Sequence, residues 1–78
     1  MAKNNYKEDI REFFQMRGYE VIEDTDLFES GAIDSMGIIE LIVFIEEELG
    51  IKLEVSLLLA DNFRNIDLIY KLLENVEA

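Results

Sequence analysis

The sequence predicts an all-α fold, a small four-helix bundle of three main helices and one short one, with a long loop between helices 1 and 2. Two observations carry this class. Apolar residues recur at offsets of three and four in three separate stretches, each opened by a capping residue. Only residues 51–55 alternate like a strand, and one strand without a partner is not a sheet, so Ile51-Lys52-Leu53-Glu54-Val55 reads as an extended connection. At 78 residues, half of them apolar, residues 1–78 form one domain with room for a single core and little else.

The first helix opens on Asn5-Tyr6-Lys7-Glu8, which has capping-box spacing. Tyr6, Ile10, Phe13, Phe14 and Arg17 then share one face, and Gly18 supplies a stop, so the helix is expected over residues 6–17. Residues 19–33 sustain no period. Val21, Ile22, Leu27, Phe28 and Ile33 are spread among acids there, as in a loop ordered by docking on a core. Its carboxylates do not make a calcium loop of the EF-hand kind. Counted from Asp24, the sixth place is Glu29 rather than glycine and the twelfth is Ser35 rather than glutamate. No metal site is expected.

The second helix is expected over residues 35–49, with Asp34 as N-cap and Gly50 beyond its end. Ile38, Leu41, Ile42, Ile45 and Leu49 form its core stripe. The opposite side, which should be wet, mixes Met36, Val43 and Ile39 with Glu40, Glu46 and Glu47, a composition that suits docking. Phe44 falls between the two sides. Ser56 then caps a brief turn through Leu57, Leu58 and Leu59, interrupted by Asp61-Asn62. Asn65 caps the last helix, where Ile66, Ile69, Leu72, Leu73 and Val76 repeat at helical spacing.

Charge and missing residue types narrow the function. Of the net charge of −11, residues 20–54 hold −10: eleven acids against Lys52 alone. That segment repels nucleic acid and anionic membrane and attracts basic partners. With no histidine and no cysteine, the chain lacks the usual base for a serine nucleophile, a thiol and the common transition-metal ligands, so no catalytic residue is expected. No signal-type leader and no apolar run of about 18 residues occurs, which makes a cytoplasmic chain without membrane insertion the expectation. Ser35 stands at the start of the second helix, where a serine is commonly a surface or capping residue, yet is also open to modification by a partner enzyme.

Asp24, Leu27, Gly31, Asp34-Ser35-Met36, Glu40-Leu41, the acids Glu46-Glu47-Glu48 before Leu49-Gly50-Ile51, and Asp61-Asn62-Phe63-Arg64-Asn65-Ile66 together resemble the acyl carrier proteins and the related peptidyl and D-alanyl carriers. The resemblance covers essentially the whole chain. It implies that a phosphopantetheinyl transferase moves 4′-phosphopantetheine from coenzyme A onto Ser35, beside Asp34, which matches the family acid that helps position the transferase's metal. The arm's thiol would carry an acyl or aminoacyl group as a thioester. The loading enzyme would be an adenylating ligase or an acyltransferase, with a synthase or transferase downstream. Met36, Ile39 and Val43 would contact those partners, and Glu40, Glu46 and Glu47 would pair with their Lys and Arg residues. A monomer is implied, and fatty acid, polyketide and D-alanine or other amino-acid pathways all stay open. The alternative is an unmodified acidic helical interaction module. Three positions depart from the family's habit. Gly37 is expected to loosen the first turn at about 1 kcal/mol relative to alanine. Glu54, in the place of a frequent proline, leaves the following connection less rigid. Phe44, in the place of a small residue, leaves less room for a long acyl chain, favouring short acyl or aminoacyl cargo.

Overall fold

A computed structural model describes residues 6–77. In chain order they form α1 (Tyr6–Met16), α2 (Ser35–Glu47), two single 3₁₀ turns at Val55–Leu57 and Ala60–Phe63, and α3 (Ile66–Glu77). The described residues contain no strand; residues 51–54 are a connection without helix, and Val55, expected to belong to it, instead opens the first 3₁₀ turn. Asn5, the expected cap of α1, lies outside the described residues.

Each helix end has a local cause. At the C-terminus of α1, Tyr19 N donates to Phe14 O at 2.9 Å and Gly18 N to Gln15 O at 3.0 Å, the paired bonds of a Schellman motif. That motif needs a left-handed residue, and Gly18 provides it at φ 91°. The α-helical ladder of α2 ends at Glu47, two residues before the expected Leu49. Glu48 N still reaches Phe44 O at 2.8 Å, but Leu49 N reaches the same carbonyl only at 3.4 Å as the last turn widens. Asn65 caps α3 as expected, accepting from Leu68 N at 2.8 Å.

One core joins the three helices. Ile10 and Phe14 of α1, Leu41 and Ile45 of α2, and Ile66, Ile69 and Leu73 of α3 are fully buried together with Leu27, Ile51 and Phe63. Tyr6 Oη donates to Glu77 Oε1 at 2.7 Å, and Lys7 pairs with Asp67 at 3.1 Å, so α1 is fastened to α3 at its margin as well. The Asp67 hydrogen bond, helped by the nearby Glu23 charge, holds the Lys7 ammonium above its ordinary pKa.

The long loop is pinned, as its apolar anchors suggest. Val21, Leu27, Ala32 and Ile33 are buried. Leu27 N donates to Arg64 O at 2.8 Å, Ile33 N to Leu27 O at 2.9 Å and Asp67 N to Glu23 O at 3.2 Å. The first and last of these tie the loop to α3 and the chain entering it, and the Ile33–Leu27 bond closes the loop on itself just before α2 begins. Asp26 folds its middle by accepting from Phe28 N and Glu29 N at 3.0 and 2.9 Å. The Glu29 amide, then the Phe28 amide and Arg64, hold the Asp26 carboxyl below its usual value of 3.8 against the opposing effect of desolvation.

Two expectations need correction. The segment after α2 is not one short helix broken at Asp61-Asn62. It is two 3₁₀ turns, the first capped by Glu54 without a side-chain bond, the second containing both residues. Asn62 N donates to Leu59 O and its side-chain Nδ2 to Leu57 O, so that asparagine closes the segment. The buried line of α2 runs through Gly37, Leu41 and Ile45, while Ile38, Ile42 and Leu49 are half-buried. Glycine has no weight in a hydrophobic pattern, so a stripe that begins on one is read too far round the helix. Gly37, in the first turn, is buried, and a Cβ there would stand 3.1 Å from Asp34 Oδ1 and 3.8 Å from Ala32 O, so the glycine leaves room for the capping carboxylate.

Candidate functional site

The N-terminus of α2 is built by Asp34. Its backbone is extended, at φ −124° and ψ −169°, and its Oδ1 accepts from Gly37 N at 2.7 Å while its carbonyl accepts the first helical bond from Ile38 N at 2.9 Å. This is a side-chain cap in which the acceptor is also an anion at the positive end of the helix. Ser35 follows as the first helical residue and is exposed. Its hydroxyl and the amides of Ser35 and Met36 make no hydrogen bond to another described residue. A hydroxyl free to react thus sits beside backbone donors free to face an anion.

The face beyond Ser35 is apolar and wet, as the sequence predicts: Met36 is 60% exposed, Ile39 55% and Val43 47%. The three acids expected to accompany it are not equivalent. Glu40 is already ion-paired with Arg17, which reaches across from the end of α1. Glu46 turns inward, its Oε2 accepting from Leu53 N at 3.4 Å, and so steadies the connection leaving α2. Glu47 is exposed and has no ion pair among the described residues.

A second feature beside this face is not evident from periodicity. A recess of about 320 Å³ opens between Ile38 and Ile42 of α2 and Phe28, Leu58, Leu59 and Phe63. The signal for it was the run Leu57-Leu58-Leu59, more apolar surface than a single 3₁₀ turn can bury. Phe44 does not narrow it. That ring lies on the α1 side, 5.1 Å from the Phe13 ring centre, so the restriction on acyl-chain length expected from Phe44 has no support at this recess.

A small helical scaffold without a thiol, presenting a capped and unencumbered serine at a helix start beside an exposed apolar face, is the arrangement of a carrier domain. The phosphopantetheine attachment site family matches the chain over residues 9–73, and the chain belongs to that family. Members carry a covalently attached 4′-phosphopantetheine, which makes this a phosphopantetheine carrier, in accord with the likeness to acyl carrier proteins. A search of curated proteins finds no significant match. The residues present fit the group: its phosphodiester would meet the free amides of the first turn, and its thiol is the functional group that the composition lacks. Among the described residues no helix is long and apolar enough to cross a membrane.

Proposed function

We propose that Ser35 is the attachment residue and that the chain is an acyl carrier, holding an acyl or aminoacyl group as a thioester on its arm and delivering it to separate enzymes. The observation that carries the reading is the free Ser35 hydroxyl on a capped helix start within the family match. A phosphopantetheinyl transferase forms the bond from Ser35 Oγ to the phosphorus of coenzyme A's pantetheine phosphate, and 3′,5′-ADP leaves. The hydroxyl proton passes to a base of the transferase, the neighbouring Asp34 carboxylate being engaged as the cap of α2.

Asp34 has two roles in this reading. It caps α2, and its carboxylate stands ready to help position the transferase's metal. Met36, Ile39 and Val43 form the contact face for the transferase, for a loading ligase or acyltransferase, and for the enzyme that takes the cargo. Glu47 is the carboxylate most available to partner cations, whereas Glu40 and Glu46 join in after leaving Arg17 and Leu53. Exposed pairs of this kind are worth about 0–1 kcal/mol each, which suits a cytoplasmic, monomeric shuttle that must release every partner.

The test is an intact mass after incubation with coenzyme A and a broad-specificity transferase. The expected result is one phosphopantetheine increment that disappears in Ser35→Ala. No increment, with the same transferase active on another carrier, would instead favour an unmodified acidic interaction module.

A further inference from the structure

Behind the serine face, α1 and α2 enclose a second groove of about 540 Å³. Its floor is apolar. Phe13 packs edge-on to Phe14 at 5.2 Å and tilted against Phe44 at 5.1 Å, Leu49 continues the floor, and Met16 stands 88% exposed at the side. Three carboxylates, Asp9, Glu12 and Glu48, line the same groove, and none has an ion-pair partner among the described residues. Arg17 does not neutralise them. Its guanidinium is committed to Glu40 and lies 5.5 Å from the Phe13 ring centre, closing one end of the groove.

We propose that this groove docks a basic amphipathic helix of a partner protein, its apolar row seated on Phe13, Met16 and Phe44 and its Lys or Arg residues paired with Asp9, Glu12 and Glu48. A groove between two helices admits a third helix through side chains at offsets of three and four. The acidic rim selects a cationic one, and the net charge of −11 opposes a second copy of this chain in the same place.

The position gives the groove a use. At about 100° and 1.5 Å per residue, Phe44 and Glu48 lie roughly 180–220° around α2 from Ser35 and about 14–20 Å farther along it. Met36, Ile39 and Val43 lie at roughly 40–100°. A partner in the groove therefore leaves Ser35 and the Met36, Ile39 and Val43 row open, with Glu40 and its partner Arg17 at the border between the two surfaces, so one protein can hold the carrier while another works at Ser35. Binding in the groove does not depend on Ser35 being modified.

A synthetic amphipathic Leu/Lys helical peptide is the probe, titrated into the isotope-labelled full chain, with the peptide carrying Glu at every Lys position as control. Saturable binding with shifts at Phe13, Met16, Phe44 and Leu49 is expected. The substitutions Met16→Lys and Glu12→Lys, both at exposed side chains, should each weaken it about tenfold or more, while Met36→Lys and Val43→Lys change it less than about threefold. Equal binding of the Glu peptide, the reverse ranking of the variants, or no saturation below about 1 mM would overturn the proposal. So would concentration-dependent dimerisation that Met16→Lys abolishes, since it would give the groove to a second copy. The apo protein suffices for every measurement, so a failure of modification at Ser35 is read separately.

Discussion

At the scale of single residues, Asp34 and Gly37 act as one device. Asp34 Oδ1 is 2.7 Å from the Gly37 amide and would be 3.1 Å from a Cβ at position 37. Alanine there gains about 1 kcal/mol of helix propensity, but its methyl group crowds the capping oxygen, whose bond is itself worth about 0.5–2 kcal/mol. Gly37→Ala alone should therefore change unfolding free energy by less than about 0.5 kcal/mol. In an Asp34→Ala background, where no carboxylate is left to displace, the same change should stabilise by about 1 kcal/mol. Urea unfolding of the four proteins measures the coupling, and strictly additive effects would mean that the close approach is harmless. Asp34→Asn separates the other role proposed for this residue. It keeps an acceptor for the Gly37 amide, so the fold should hold, while loss of the charge should slow modification of Ser35 about tenfold or more, equivalent to about 1.4 kcal/mol.

At the scale of elements, the loop between α1 and α2 is held by Asp26 and by its bonds to the α3 approach. A carboxyl held below its unfolded value of 3.8 contributes stability at pH above that value, and the contribution is lost as pH falls through the lower folded value. Acid should therefore release this loop, seen as loss of the Phe28 and Glu29 amide signals, and Asp26→Asn should flatten the acid side of the stability profile. An unchanged profile would mean that other carboxylates dominate. The connection after α2 makes a simpler prediction. Glu54 has φ −77° and ψ 151°, and its amide makes no hydrogen bond to a described residue. Proline fits that geometry, so Glu54→Pro should stabilise by about 0.4–1 kcal/mol, and a fall in the unfolding midpoint would contradict it. What could be read in advance followed locality. The helical stripes of α1 and α3, the Asn65 cap, the Gly18 stop and the exposed serine are all set within a few residues. The Leu27–Arg64 bond, the Arg17–Glu40 pair, the side taken by Phe44 and the recess beside Ile38 and Ile42 depend on segments distant in sequence, which no period reports. Asp61-Asn62 interrupts an α-helical template, whereas a 3₁₀ turn contains both residues.

At the scale of the whole molecule, the charge of −11 has opposite consequences for stability and for association. The Debye length is about 30 Å in 0.01 M salt and about 10 Å in 0.1 M. The described chain measures 31 × 27 × 20 Å, so at the lower salt every acid feels every other, and at the higher only near neighbours. The ion pairs that salt also weakens are few among the described residues, and all involve partly exposed side chains, each worth about 0–1 kcal/mol. Relief of long-range repulsion should win, and Tm should rise as sodium chloride increases from about 0.01 to 0.3 M. Encounter with a basic partner draws on the same field in the opposite sense, so its association rate should fall over that range while dissociation changes little. Stopped-flow binding of a basic-faced transferase, run beside the melting series, reads both. If Tm rises and the association rate does not fall, the acids around Ser35 serve solubility and do not steer partners. If Tm falls, the local ion pairs outweigh the net charge, and the Lys7, Arg17 and Arg64 contacts carry more of the fold than their exposure implies.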